Sequence, residues 1–260
     1  MPKFFVPYPI AEGETKIVIH DEDCRHIRDV LRMKAGEAIN VCDTNGMDHG
    51  CVVDSFEKEA VVVRILSSIP SDNESPFDIF IYQGLPKADK MEVIIQKCVE
   101  LGGTTIVPVS CARSVVKWND KKDIEKKLLR WNKIAYEAAK QCNRSAIPRI
   151  GSPVSYKEAL TQMKQSDIAF IPWELEEQTS IKTILKRVAN VFDNQNEEGK
   201  KSENRPRLAF MIGPEGGFDR EEILAAQKSG IDTITLGKRI LRTETAAPSI
   251  LAMILYEMEL

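Results

Sequence analysis

Short apolar runs with the two-residue period of β-strands fill the first part of the chain. These runs are TKIVI, EAINVCD, HGCVVDSF and AVVVRIL, and TNGMD places an Asn-Gly turn between two of them. One helical pattern, DEDCRHIRDVLRM, interrupts the strands, and Asp21 is placed to cap its N-terminus. The pattern predicts a compact barrel-like module that ends in the polar stretch SSIPSDNESPF.

From Phe77 onward, strand and helix patterns alternate. The predicted strands are FDIFIYQ, TTIVPVS, DIAFIPWE, RLAFMI and IDTITL. The predicted helices are DKMEVIIQKCVELGG, a long helix from about Asp120 to Cys142, YKEALTQM, SIKTILKRVANVF and DREEILAAQKSG. Continuous apolar strands separated by amphipathic helices indicate an α/β domain with a buried parallel sheet. The segment DNQNEEGKKSENRP is polar and low in complexity, which predicts a mobile surface insertion.

The last segment, TAAPSILAMILYEMEL, has the pattern of a helix that is apolar on most sides. Such a helix must be buried, and a subunit interface is one way to bury it. Pro248 is expected to be tolerated only if it lies in the first turn of this helix, because proline has no backbone N–H to donate.

Composition narrows the class of protein. A chain of 260 residues with 43% hydrophobic and 29% charged residues can bury a core and form one large or two small domains. We expect a cytoplasmic protein, because MPKFFVPYPI does not resemble a signal peptide and no apolar run approaches about 18 residues. Six scattered cysteines without a CxxC pair, and three histidines outside ligand spacing, predict free thiols and no metal site.

The charge is unevenly distributed. A net charge of -3 argues against indiscriminate binding to polyanions. Between Arg113 and Arg149, however, eleven basic residues stand against four acidic ones, with Trp118 and Trp131 among them. This stretch is either the solvated face of a helix or a surface that binds nucleic acid, with cations for phosphates and aromatic rings for bases.

Two glycine-containing motifs lie at the carboxyl ends of predicted strands. MIGPEGGF overlaps the last two residues of the strand RLAFMI, and LGKRILRTETAA begins at the last residue of the strand IDTITL. The carboxyl ends of parallel strands form the edge where ligands bind. GPEGGF lacks the Gly-Lys-Ser/Thr ending of a P-loop and the GxGxxG spacing of a dinucleotide site. Its glycines indicate either a structural turn with positive φ or close approach to a flat ligand, and Ile240 and Leu241 would suit an adenine ring.

This motif pair resembles the signature of the RsmE family, the 16S ribosomal RNA uracil-N3 methyltransferases of the SPOUT superfamily. The resemblance extends through the chain, in the blocks RHIRDVLRMKAGE, PKADKMEVIIQKCVELGG, ARSVVK and EAAKQCNRSAIPRI. It implies a PUA-like RNA-binding β-barrel at 1–72 and an α/β SPOUT domain at 73–260 that contains a deep trefoil knot. It also implies a homodimer whose active site uses both subunits, with 16S ribosomal RNA or the assembled small subunit as partner and neither DNA nor a membrane.

By the same resemblance, S-adenosylmethionine is the cofactor and three loops hold it in a bent form. The predicted cofactor-binding residues are Pro172, Met211, Gly213, Gly217, Leu236, Gly237, Ile240 and Leu241. The predicted RNA-binding residues are Arg25, His26, Arg28, Arg32, Lys87, Lys126 and Arg130.

Methylation of uridine N3 requires loss of the imide proton and stabilisation of the resulting anion. Arg242 is the first candidate for that stabilisation, with Arg113 and Arg144 next, and Arg144 can come from the partner subunit. Phosphate binding or a salt bridge is the alternative for each arginine. Glu244 or Glu137 is a candidate proton acceptor, and a helix-capping role is equally compatible with the position of Glu244.

Two other readings of the residues stay open. Histidine side chains in general can exchange protons near neutral pH, which makes His26 a candidate catalytic base. Its arginine neighbours favour RNA contact or a structural role instead. Trp131 and Tyr136 either stack on a flipped base or belong to the core. The rival functions are a SPOUT methyltransferase acting on tRNA or on ribose, and a non-catalytic RNA-binding protein, which should lack an intact pair of cofactor loops.

Overall fold

The computed structural model describes residues 1–116, 120–197 and 205–258. Trp118 and half of the predicted polar insertion, residues 198–204, lie outside the described residues. The chain forms two compact units. Unit 1 comprises Met1–Glu74 and Ala139–Ile147, and unit 2 comprises Ser75–Ala138 and Pro148–Leu260.

Unit 1 is built on a five-stranded sheet in the order β1-β3-β4-β5-β2. The neighbouring strands are antiparallel except for β1 and β3, which are parallel. The predicted strands and the Asn-Gly turn are confirmed, with Gly46 at φ +70° between β3 and β4. The pattern missed β1, which has only three residues. The strands are β1 (Lys3–Phe5), β2 (Lys16–His20), β3 (Ala38–Cys42), β4 (Met47–Phe56) and β5 (Ala60–Pro70).

The helix of unit 1 begins differently from the prediction. Helix α1 (Asp21–Arg25) continues directly into a π-helical turn over His26–Val30. Asp21 is not the cap, so that prediction is wrong. Strand β2 runs straight into the helix, which leaves the extended His20 at the cap position and Asp21 inside the first turn with φ +59°.

Unit 2 confirms the predicted parallel α/β sheet. Its strands follow the order β12-β10-β11-β6-β7-β8, with β9 also paired to β7, and every pair is parallel. Strand β11 is buried at five of its six residues because neighbouring elements cover both faces of the sheet. The strands are β6 (Asp78–Gly84), β7 (Thr105–Ser110), β8 (Arg149–Ile150), β9 (Val154–Ser155), β10 (Ile168–Pro172), β11 (Arg207–Ile212) and β12 (Asp232–Ile234).

Helices connect these strands at the predicted places. Ser155 and Asp219 close capping boxes at the starts of α4 and α6, which explains where both helices begin. The helices are α2 (Lys90–Glu100), α3 (Lys121–Gln141), α4 (Tyr156–Met163), α5 (Ile181–Glu197), α6 (Arg220–Lys228) and α7 (Thr243–Met258). All six cysteines are free, as predicted.

The C-terminal helix α7 buries one side and exposes another. Ile250, Leu251 and Ile254 are at most 2% exposed, whereas Tyr256 is 71% exposed. Pro248 lies beyond the first turn, so the prediction for its position is wrong: the helix begins at Thr243, and the chain accepts the loss of one interior hydrogen bond. Within the described residues, no helix is long and apolar enough to cross a membrane.

Candidate active site

A cavity of about 840 Å³ opens in unit 2 at the carboxyl ends of three parallel strands. Its walls are the loops that follow β10, β11 and β12, together with Lys90 and the start of α7. Because β10 lies between β11 and β12 in the sheet, the two glycine motifs reach the same edge although they follow non-adjacent strands. The sheet thus brings the predicted ligand loops together.

Most of the predicted cofactor residues line this cavity. They are Pro172, Gly213, Gly217, Leu236, Gly237, Ile240 and Leu241. Met211 is the exception, because β11 extends to Ile212 and Met211 is therefore a strand residue rather than a loop residue. Its side chain is 0% exposed and packs in the core that includes Tyr82 and Phe218.

The glycines of the first motif have two different physical roles. Gly217 adopts φ +67°, and a Cβ there would meet no atom within 4 Å, so its backbone conformation rather than crowding favours glycine. Gly216 has no positive φ; a Cβ there would lie 3.1 Å from the Cβ of Arg113. Gly217 therefore shapes the cavity wall, and Gly216 lets Arg113 pack against the loop.

A buried hydrogen-bond chain joins the first motif to the second. Gln83 Nε2 donates to Thr243 Oγ1 at 2.9 Å, and Thr243 Oγ1 donates to the carbonyl oxygen of Gly213 at 2.8 Å. Gln83 is 0% exposed and Thr243 is 6% exposed. The sequence analysis missed this chain, although a polar Gln83 at the end of an apolar strand was an available signal.

Replacing Thr243 by valine should loosen the cavity, since valine keeps the shape but removes the hydroxyl. Gln83 Nε2 loses an acceptor and the Gly213 carbonyl loses a donor, so we expect the unfolding free energy to fall by about 2 kcal/mol. Urea denaturation measures this change. Thr245→Val, at an exposed position of the same helix, is the matched control and should change stability little. Equal stability of the two variants would contradict a role for the hydrogen-bond chain.

Lys90 connects the two motifs by charge. Its Nζ lies 3.2 Å from Glu215 Oε1 and 3.1 Å from Glu244 Oε2, and Glu215 also accepts hydrogen bonds from the backbone N–H of Lys87. The pKa of Glu244 is lowered by its own backbone N–H at the helix N-terminus and by Lys90. A carboxylate with a lowered pKa is a weaker base, so the structure favours the helix-terminus role of Glu244 over proton acceptance.

The candidate catalytic arginines occupy very different environments. Arg242 is exposed and lines the cavity, and it forms no ion pair within the described part of the chain. Arg113 lies outside the cavity lining, where its Nη1 donates to the Gly216 carbonyl at 3.0 Å and its Nε lies 3.9 Å from Asp219. Arg113 therefore braces the first motif, and of these two arginines Arg242 is the one available to a ligand in the cavity.

Arg144 is a buried partner in an ion pair of unit 1. Its guanidinium donates to Glu74 Oε2 at 2.5 Å through Nη2 and at 3.2 Å through Nε, and both side chains are less than 10% exposed, at 4% and 8%. Glu74 also accepts hydrogen bonds from the backbone N–H groups of Ser145 and Ala146. The structure thus favours the salt-bridge alternative over the catalytic one for Arg144.

The predicted RNA-binding residues of unit 1 divide into exposed and engaged side chains. Arg25 and Arg32 are exposed. Arg28 donates to the carbonyl oxygens of Glu57, Lys58 and Ala60, and so holds the turn between β4 and β5. His26 is half-buried with its ring edge-on to Phe4, at a centroid distance of 5.9 Å.

The basic residues of the second domain likewise divide into exposed side chains and side chains that already form contacts. Lys87 and Lys126 are exposed, whereas Arg130 forms a two-point ion pair with Glu92 at 2.7 Å and 2.8 Å. Trp131 is 5% exposed, which supports its core alternative, and Tyr136 is half-buried. Glu137 is exposed on α3. Lys117 lies outside the described residues. Only part of the stretch is thus open to phosphates.

Comparison with known proteins identifies an RNA methyltransferase domain at residues 73–255 and an RNA methyltransferase PUA domain at 19–66. The chain is 35% identical to ribosomal RNA small subunit methyltransferase E (RsmE) of Bacillus subtilis, over 100% of this chain and 98% of the relative. The chain belongs to the RsmE family.

Two solved structures extend the RsmE comparison to the cofactor. RsmE from Neisseria gonorrhoeae, bound to S-adenosylmethionine, is 31% identical with a TM-score of 0.81, covering 98% of this chain and 97% of that one. A methyltransferase from Legionella pneumophila, in complex with the same cofactor, is 29% identical with a TM-score of 0.79, covering 98% and 96%. The predicted architecture, a PUA-like domain followed by a SPOUT-type α/β domain, agrees with the matched PUA domain and with the RsmE structure from Neisseria gonorrhoeae.

Proposed function

We propose that the protein transfers the methyl group of S-adenosylmethionine to N3 of a uridine in 16S ribosomal RNA. The observation that carries this proposal is the cavity at the strand ends, which both glycine motifs enclose. A relative with the same fold over 98% of this chain is described as bound to S-adenosylmethionine. By family resemblance, the target is the uridine of the decoding region near the 3′ end of the RNA.

The cavity walls have the chemistry that an adenosine-containing cofactor needs. Leu236 and Leu241 are half-buried and supply apolar surface for an adenine ring, and Phe218 adds a buried aromatic wall. Gly213 and Gly217 bring bare backbone to the same cavity. S-adenosylmethionine, when bound, supplies a methyl group that its sulfonium already activates. The residues of this chain therefore contribute position and electrostatics.

Arg242 is assigned to the developing negative charge on uridine. Loss of the N3 proton leaves a uridine anion, and a fixed cation beside it lowers the energy of that anion. Arg242 lines the cavity and has no ion-pair partner among the described residues. Arg113 and Arg144 already contact acidic side chains, so we assign them structural roles. Glu244 is a poor proton acceptor because its pKa is lowered.

We assign RNA binding to residues 1–72 together with the exposed basic residues of the following domain, residues 73–260. Of the predicted RNA-binding residues, Arg25, Arg32, Lys87 and Lys126 are exposed, and we assign them to phosphate contact. We assign supporting roles to Arg28, His26 and Arg130, because each already contacts another part of its own unit. We place the domain boundary within the polar stretch at 67–77, between residues 72 and 73, and the family resemblance supports a trefoil knot in the second domain.

The active form is proposed to be a cytoplasmic homodimer. Helix α7 exposes Tyr256 beside the half-buried Met253, which leaves apolar surface available to a partner. Burial of apolar surface contributes about 25 cal/mol per Å², so a helix face of this kind favours association. The small ribosomal subunit or its RNA is the proposed substrate partner.

Mapping the methylated nucleotides of 16S ribosomal RNA by mass spectrometry tests the function. RNA from a strain that lacks the protein should have lost one N3-methyluridine, and purified protein with S-adenosylmethionine should restore it. Assembled small subunits and naked RNA are compared as substrates. A missing methyl group on ribose or on tRNA would instead establish the rival SPOUT activity, and an unchanged methylation map would contradict an enzymatic role.

A further inference from the structure

The two loops at the rim of the cavity carry opposite charges. The loop after β12 contains Lys238, Arg239 and Arg242 and no carboxylate before α7. The loop after β10 contains Glu174, Glu176 and Glu177 instead. A polyanion that approaches this cavity is therefore attracted to one rim and repelled by the other.

The basic rim is free to bind a ligand. Within the described residues, no carboxylate forms an ion pair with Lys238, Arg239 or Arg242. Four other cations of unit 2 differ in this respect, because Lys90, Arg113, Arg130 and Arg187 each pair with a carboxylate. Unpaired cations on a protein surface are the groups that neutralise phosphates most readily.

Ile240 stands in the middle of this basic rim. It is 79% exposed, more than any other large apolar side chain in the described part of the chain. It lines the cavity, but most of its side chain is exposed, whereas the half-buried Leu236 and Leu241 provide the apolar wall for an adenine. An exposed apolar side chain among free cations matches the chemistry of RNA, whose bases are apolar on their faces and whose phosphates are anionic.

We infer that Ile240 contacts the RNA bases beside the target nucleotide while Lys238 and Arg239 bind the flanking phosphates. To reach the cavity, the target base must leave its stack, which costs unstacking free energy. An apolar side chain that takes the vacated place offsets part of that cost. This inference rests on the proposed function and gives Ile240 a substrate-side role in the same site.

The test compares Ile240→Ser with Ile240→Met and uses Leu175→Ser as a matched control. Leu175 is also apolar and exposed, at 68%, but it lies in the acidic rim between Glu174 and Glu176. Small ribosomal subunits from a strain lacking the protein serve as the substrate. Single-turnover methylation at saturating substrate, cofactor affinity by calorimetry and molar mass by light scattering are measured for each protein.

We expect Ile240→Ser to slow single-turnover methylation about tenfold while cofactor affinity and molar mass stay unchanged. Ile240→Met should retain most of the rate because it preserves an apolar side chain, and Leu175→Ser should behave as wild type. Weakened cofactor binding by Ile240→Ser would place Ile240 in the adenine pocket, and a lowered molar mass would place it in a subunit interface. Either result, or an unchanged rate, overturns the inference.

Failure of the proposed function itself is visible in the wild-type protein. In that case wild type neither binds S-adenosylmethionine nor methylates the subunits, irrespective of the residue at position 240. If wild type is active and Ile240→Ser equals it in all three measurements, only the role of Ile240 is lost.

Discussion

Alanine in place of Arg242 is expected to lower the single-turnover rate of methylation on saturating RNA about 100-fold, the effect typical of losing one preorganised group beside a developing charge. The guanidinium lines the cavity and makes no ion pair in the described chain, so its charge is available to the uridine anion. RNA affinity should change little, because Arg242 is assigned to a charge that develops during the reaction and not to a phosphate of the bound RNA. Rapid-quench methylation and filter binding separate the two quantities.

Lys126→Ala is the control for this result. Lys126 is exposed on α3 and should act only through phosphates, so its loss should weaken RNA binding and flatten its salt dependence while the rate on bound RNA stays intact. The reverse outcome for Arg242→Ala, with poor RNA binding but a normal rate at saturation, would make Arg242 an RNA anchor rather than a catalytic residue.

Alanine in place of Arg144 is expected to cost about 3 to 5 kcal/mol of stability, because it leaves a buried carboxylate without its cation. Glu74 is only 8% exposed at its side chain and would retain just the backbone donors of Ser145 and Ala146. Urea denaturation followed by circular dichroism measures the loss. Arg187→Ala is the matched control, since its ion pair with Asp232 is exposed and should contribute less than about 1 kcal/mol.

This experiment also decides between the two interpretations of Arg144. A structural ion pair predicts reduced stability, with a normal methylation rate at temperatures where the variant is folded. A variant as stable as wild type but slow in single-turnover methylation would restore Arg144 as a catalytic candidate and contradict its structural assignment.

The sequence by itself determined most of the elements and the sheet edge at which the two glycine motifs meet. Apolar runs such as RLAFMI, and the amphipathic spacing between them, are local properties, so the longer strands and the helices of both units could be predicted from neighbouring residues. The two- and three-residue strands β1, β8 and β9 are too short to show such a period. The carboxyl ends of parallel strands share one edge, and therefore the loops at Gly213 and Gly237 could be placed at a common site. Each motif could be recognised from the sequence because its own residues are consecutive.

Only the tertiary structure decided which of the predicted side chains are free. Arg144 meets Glu74 across 70 positions of sequence, and Gln83 meets Thr243 across 160. Such pairings depend on how the sheet and helices pack, and no local pattern encodes them. Likewise, strand β11 extends to Ile212 and places Met211 in the core, whereas Arg242 and Ile240 are exposed at the rim. Local periodicity sets the elements, whereas the charge and accessibility of the site arise from long-range contacts between them.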